Sequence, residues 1–396
     1  MPAEPSTQGR TNELWGSDWP EVRDLWPLEP TVAHLNHGSY GAVPTPVLEE
    51  QQSWRDRMEA NPTRFFNREL DDALAEARAA VAAFLGAPDG SMAFVPNATT
   101  GVNTVLASLR LEADDEVVLT DHSYGAVQIA VDRWTADVGA QLVVAPVDLD
   151  ADDDSVRDSV LAKVGPRTRL VVLEQVTSPT ARRLPLVALV PTLRERDVPV
   201  LIDAAHAPGM LDVDVAAIGA DFWVGNLHKW CCAPRGTALL YAEQRWRDRT
   251  RPLVASWGEP LGFPRAFDDS GTQDLTAWLA APRALRVLDR LDLDRVRRHN
   301  VELAVLGQRE VAGALGLDPA VLPRDPAVSM QLVPLPAGIA STREEATALQ
   351  ARLGTDASVE VAVTDWRGQG FVRVSAHVYN APADYARLAA ELPSFL

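Results

Sequence analysis

The stretch DFWVGNLHKWCCAPRGTALLYA, residues 221–242, decides how the rest of the chain is read. Asp221 to Val224 spell a short apolar strand. Asn226, His228 and Lys229 follow in a polar loop, and Gly236 opens a second strand at 237–242. A lysine held between two apolar strands, beside Trp230, Cys231 and Cys232, is poorly placed to keep its hydration. Desolvation disfavours the ammonium form and lowers its pKa, which suits an amine that must form a Schiff base. Taken alone, the string also fits an ordinary loop lysine.

Working outward, VPVLIDAAHAPG (198–209) supplies the context. Val198, Val200, Leu201 and Ile202 form a short apolar run, as expected for a strand buried on both faces of a parallel sheet. It ends in Asp203, with His206 three residues on. In an α/β sheet, ligands collect at the carboxyl ends of strands. A strand-end aspartate often caps the next turn. Followed one strand later by a loop lysine, it also meets the demands of pyridoxal 5′-phosphate, whose ring nitrogen wants a carboxylate and whose aldehyde wants an amine.

Four further strands read the same way, MAFVP from Met92, EVVLT (116–120), QLVVAPV (141–147) and RLVVLEQV (169–176), as does TALLYA (237–242). The stretches 99–110, 125–138, 153–164 and 186–196 between them have helical length and period. Short apolar strands alternating with helices predict a mainly parallel sheet covered on both faces. NATTG (97–101) opens the first helix; a helix start offers unpaired N–H groups and a positive dipole end, hence a phosphate site or an ordinary Asn cap. No Gly-x-Gly-x-x-Gly or Gly-x4-Gly-Lys-Ser/Thr string occurs. One long helix is expected over 275–306, kinked at Pro282. Beyond it, VSMQLVPLP, a helix at 342–354, VEVAVTDW, FVRVSAHVY and a last helix from Ala381 read as a small α+β domain.

Composition bounds the partners. The 396 residues are 46% hydrophobic and 23% charged, with net charge −18 and no basic cluster, which argues against nucleic acid and anionic membranes. Two adjacent cysteines make no disulfide framework. No apolar run is long enough to span a bilayer, and the opening MPAEPSTQGR lacks a signal-peptide core, so a cytoplasmic location is expected. Residues 1–14 read as a loose arm. Trp15, Trp19, Trp26 and Trp54 are expected in packing or a subunit interface. No metal site is expected.

The order Asp203…His206…Asn226-x-His228-Lys229, with NHGSYG (36–41), NATTG, TSPT (177–180), GTQD (271–274) and RVSAHVYN (373–380), resembles the class V aminotransferases, fold-type I pyridoxal phosphate enzymes. Within that family it is most similar to the isopenicillin N epimerase-like branch. The resemblance implies an arm (1–30), a large cofactor domain with a mainly parallel seven-stranded sheet (31–275), and a smaller α+β domain (276–396).

It also implies roles. Lys229 holds the cofactor and Asp203 its ring nitrogen. Ala98, Thr99, Thr100, Asn226 and His228 gather at the phosphate, and Tyr124, rather than His122, covers the ring. Thr177 or Ser178, with His206, bonds the phenolic oxygen. Thr272 reaches the phosphate of a second subunit, so a homodimer with shared sites is expected. Asn36, His37, Ser39, Tyr40 and Arg64 line the substrate entrance, and Arg373 clamps an amino-acid carboxylate.

The reaction stays open among β-elimination from an S-conjugated cysteine in specialised metabolism, such as antibiotic biosynthesis, epimerisation, transamination and decarboxylating deamination. A cofactor-free binding module is the remote alternative. A sulfur-carrying cysteine is disfavoured, because Cys231 and Cys232 are the only two and directly follow the lysine. Arg182 and Arg183 stand where small residues are expected, and Gln175 where histidine or aspartate is usual.

Overall fold

The computed structural model describes residues 20–396 apart from 319, 321 and 324. Residues 1–14, Trp15 and Trp19 therefore lie outside the described residues. The strands in chain order are β1 (Ala33–Leu35), β2 (Met92–Val95), β3 (Glu116–Thr120), β4 (Gln141–Ala145), β5 (Thr168–Glu174), β6 (Val200–Asp203), β7 (Phe222–Asn226), β8 (Ala238–Ala242), β9 (Met330–Pro334), β10 (Val359–Trp366) and β11 (Gln369–Ser375). Seven of them form one sheet in the order β2-β8-β7-β6-β5-β3-β4. Only β8 runs against its neighbours.

Helices fill the crossovers at Ala98–Leu109, Gly125–Ala136, Asp153–Leu161 and Leu186–Glu195, as the alternation predicts. The strands read as continuous apolar runs because both faces are covered. On β6, Val200 and Ile202 pack into one core and Leu201 into another; on β7, Trp223 faces the first and Phe222 and Val224 the second. Successive side chains on a strand point to opposite faces, so each strand feeds both cores.

The smaller sheet has the order β1-β10-β11-β9. β1 pairs with β10 in parallel, Ala33 opposite Val359. Residues 33–35, expected within the 31–275 grouping, thus pair into the smaller sheet. A three-residue strand has too little pattern to reveal a partner so far along the chain.

The expected single helix over 275–306 is two, Thr276–Arg290 and Leu293–Ala314. Pro282 sits inside the first, and the break falls at Leu291–Asp292 instead. Asp292 takes a left-handed conformation (φ 61°) and its carboxylate accepts the Arg295 N–H at 3.2 Å, starting a new helix. Among the described residues no helix is long and apolar enough to cross a membrane.

Candidate active site

The parallel register sets Glu174 of β5 beside Asp203 of β6, and Asp203 beside Val224 of β7. The carboxyl ends of three strands therefore open side by side, and the site grows from them. Asp203 is buried and its Oδ1 accepts the Ala205 N–H at 3.0 Å. Burial raises its pKa, opposed by that hydrogen bond and by Lys229.

From the loop after β7, the Lys229 Nζ comes within 3.2 Å of the His206 Nε2. Burial of the amine and the Arg373 guanidinium push the Lys229 pKa down to about 7, against the pull of Asp203. Two glycines allow this packing. Gly41, at φ +67°, lies against the main chain of His228 and Lys229, where a Cβ would strike the His228 carbonyl. Gly209, at φ +84°, brings the His206 turn against Trp230, and a Cβ there would stand 2.5 Å from the Trp230 carbonyl oxygen.

Around the helix that starts at Ala98, the three expected phosphate residues separate. The Ala98 N–H is taken by Asn226 Oδ1 at 2.8 Å. The Thr100 N–H and hydroxyl both go to Asn97 Oδ1, at 2.8 and 3.1 Å, the ordinary cap that the sequence also allowed. Neither Thr100 nor Ala98 has its N–H to spare, so their expected phosphate contacts through those groups are corrected. Among the described residues, the Thr99 N–H and hydroxyl have no partner. Asn226 positions the helix start. His228 gives Nδ1 to the Thr237 carbonyl at 3.0 Å, leaving Nε2 for a ligand, and burial lowers its pKa to about 4.

His122 is fully buried, with its nitrogens 2.6 Å from Thr180 Oγ1 and 2.8 Å from the Val147 carbonyl, and its ring against Trp366. Tyr124, 47% exposed at the start of the next helix, is free of such ties. The Thr177 hydroxyl is spent inside its own turn on Thr180 Oγ1 (2.7 Å) and the Arg182 main chain. Of the two alternatives in TSPT, Ser178 is the one that turns to the site, where it meets Arg373.

Arg373, on β11, is 3% exposed. Its Nη1 donates to the Ser178 carbonyl (2.6 Å) and hydroxyl (3.1 Å), and Nη2 to Ser39 Oγ (3.3 Å). Its Nε has no partner, and burial pushes the pKa down to about 10. No carboxylate among the described residues pairs with it. Asn36 holds Ser39 through a 2.6 Å hydrogen bond, so both expected residues reach the site by way of this arginine.

The expected entrance is corrected at two positions, His37 and Arg64. His37 is buried behind the lysine, not at the mouth: Nε2 lies 3.1 Å from the Lys229 carbonyl and Nδ1 2.8 Å from the Tyr379 hydroxyl. His37, Cys232 and His377 gather ligand atoms within 4.8 Å of one another. His37 nevertheless commits both nitrogens to protein partners, so the cluster reads as packing behind the lysine loop. Phe65 is buried in the core, and Arg64 is exposed and paired with Glu69 at 2.8 Å. Tyr40 stays exposed.

Arg182 and Arg183 are engaged by neighbouring chain segments. Arg182 ties down the carbonyls of Asp148, Leu149 and Ala151, and Arg183 pairs with Asp325 at 3.0 Å. Gln175 accepts the Trp223 indole N–H at 3.0 Å. Thr272 lies on the exposed loop before the helix at Thr276–Arg290.

Sequence reasoning passed over Glu174. It is buried beside Asp203, and burial raises its pKa to about 8. The signal was present, since RLVVLE ends in an acid as VLID does.

These elements define a fold-type I architecture with a lysine-centred site at the strand ends. Residues 40–388 match the family model for aminotransferase class-V, and the chain belongs to that family. It is 34% identical over 397 residues to an isopenicillin N epimerase of Amycolatopsis lactamdurans, covering 94% of this chain and 98% of that one. It is 31% identical to a probable chloroplastic L-cysteine desulfhydrase of Arabidopsis thaliana, covering 91% and 82%. A C-DES mutant with glycine covalently linked to its pyridoxal phosphate superposes with TM-score 0.81 at 21% identity, covering 94% and 99%.

Pyridoxal 5′-phosphate is the cofactor of this enzyme, and the residues present fit it. A dry amine with a pKa near 7, a buried carboxylate at the neighbouring strand end, and unpartnered donors at Thr99 are the groups that its aldehyde, ring nitrogen and phosphate require. Lys229, Asp203, Thr99 and His228 would hold it.

Proposed function

We propose that the protein cleaves the C–S bond of an S-substituted cysteine by β-elimination. The observation that carries an amino-acid substrate is Arg373: a buried guanidinium, held by Ser178 and Ser39, with an unpartnered Nε and no carboxylate of its own. A buried cation without a counter-charge is costly, so the site is built to receive one. The same guanidinium depresses the Lys229 pKa, so a bound α-carboxylate and the lysine are electrostatically linked.

When bound, the cofactor accepts electron density from Cα. The chain supplies the rest. Lys229 Nζ takes the α-proton, the Cα pair forms the Cα=Cβ bond, and the Cβ–S bond breaks with its pair leaving on sulfur. One base suffices for this sequence. Epimerisation also needs a proton delivered to the opposite face of Cα. Among the described residues, His206 is the hydrogen-bond partner of Lys229 Nζ, on the same side as the lysine. The desulfhydrase relative supports elimination, and the epimerase relative keeps epimerisation as the second reading. The active unit is proposed to be a cytoplasmic homodimer, supported by apolar side chains bared on the loop ahead of Thr272: Trp257 is 91% exposed and Val254 55%.

The test is a panel of cysteine, cysteine S-conjugates and non-sulfur amino acids, scored by product mass and loss of α-deuterium. Release of a free thiol with a keto acid supports elimination. Loss of deuterium with the carbon–sulfur bond intact and the configuration scrambled establishes the epimerase reading instead.

A further inference from the structure

We propose that the Trp230 indole N–H fixes the tautomer of His206 and thereby keeps the Lys229 amine unprotonated and ready to react. Trp230 is buried, and its Nε1 donates to His206 Nδ1 at 3.3 Å. An indole nitrogen can only donate. The Nδ1 it meets must therefore carry a lone pair, and a neutral imidazole then places its one proton on Nε2. Burial, with Lys229, Arg373, His228 and His37 around it, keeps His206 neutral. The Nε2–H faces the Lys229 Nζ at 3.2 Å. A donor meets that nitrogen well only if the amine offers a lone pair in return. An ammonium there would face an N–H and find no acceptor.

The order of control runs from indole to imidazole to amine. Trp230 is a positioning residue, acting through His206 without touching the substrate. Its place is secured on every side: the ring packs with Met210, Met330 and Phe371 and lies 4.9 Å from the His37 ring, and the main chain presses on Gly209. The other charged groups facing the amine oppose one another, Arg373 favouring the neutral form and Asp203 the charged one. Burial of the amine already disfavours its charged form, and the tautomer adds a donor in the place where an ammonium would need an acceptor. This inference rests on Lys229 being the reacting amine, and it holds whichever substrate is turned over.

The chain contains two lysines, Lys163 and Lys229, and Lys163 is exposed, so the proton affinity of Lys229 can be read in the protein stripped of cofactor. Pulse acetylation across pH 5–11 with peptide mass analysis gives a half-point for each lysine, Lys163 serving as internal reference. In Trp230→Phe the imidazole can move its proton to Nδ1 and offer Nε2 to an ammonium, so the Lys229 half-point should rise by about one pH unit, tenfold in proton affinity. Lys163 should not move. Because phenylalanine also leaves a gap, a second variant carries 3-benzothienylalanine at 230, which keeps the ring shape and lacks the N–H. A shift in both variants supports the proposal. A wild-type half-point in the benzothienyl protein overturns it, since shape alone would then explain Trp230. A failure of the substrate panel leaves this measurement intact, which separates the two proposals.

Discussion

At Lys229 a single nitrogen gathers the chemistry of the molecule. Reduction of the holoenzyme with borohydride should mark Lys229 and spare Lys163, and Lys229→Ala should fold yet lose the reducible adduct. Label recovered on Lys163 would sink the assignment. Asp203→Asn should keep the cofactor but lose activity by several orders of magnitude; a variant within about tenfold of wild type, or ~1.4 kcal/mol of barrier, would contradict the role given to Asp203. Arg373→Ala removes binding and orientation together, so KM should rise and kcat fall, with kcat/KM down by about 100-fold or ~2.7 kcal/mol. Cofactor content should be unchanged, and a variant that lost cofactor instead would move Arg373 to a different duty. Much of this was legible from residue type and order, because a strand-end acid followed by a lysine in an apolar loop suits the cofactor, while Arg373, inside β11, was singled out by the family resemblance. His37 was not. Its position next to Gly38 and Tyr40 suggests an open loop, and only the three-dimensional fold shows it turned inward to the Lys229 carbonyl.

Elements rather than single residues decide where those groups stand. The helix start at Ala98 is held by two asparagines, Asn97 at its cap and Asn226 from β7. Asn97→Ala should cost about 1 kcal/mol in stability and also weaken cofactor retention, since the Thr99 N–H would no longer be presented squarely; a variant with unchanged cofactor affinity in equilibrium dialysis would separate the cap from the phosphate site. Most strands of the large sheet were readable as unbroken apolar runs, the mark of burial on both faces, although the edge strand β4 leaves Val144 43% exposed. Two features were not. β1 depends on a partner near the other end of the chain, and no local period encodes that. The break between Arg290 and Leu293 hides inside a helical pattern that continues on either side, where only Asp292, three residues before Arg295, hints at a new cap.

Over the whole molecule, burial sets the response to acid. His37, His122, His206, His228, His299 and His377 all have lowered pKa values. A histidine neutral in the fold and titrating normally when unfolded gives stability that is lost as pH falls from about 6.5 toward its folded value, up to ~1.4 kcal/mol per group per unit. Buried Glu174, Asp203 and Asp268 have raised values and act in the opposite direction, but the histidines outnumber them. The thermal midpoint of the cofactor-free protein should therefore drop between pH 7 and pH 5, and a flat profile by calorimetry would refute this balance. Assembly belongs to the same scale: if Trp257 and its neighbours meet a second copy, Trp257→Asp should yield a monomer by sedimentation with weakened cofactor retention, and a fully active monomer would remove the shared-site idea. The placement of β1 carries a consequence for biosynthesis. Residues 33–35 leave the ribosome ahead of the large sheet, yet the edge they must join is made by β10, after that sheet has been translated. Arg373, His377 and Tyr379 emerge later still. A nascent chain halted after the large domain would hold the lysine but lack the arginine proposed to take the substrate carboxylate and the tyrosine that braces His37, so the site cannot be completed until the late strands close the sheet that β1 began.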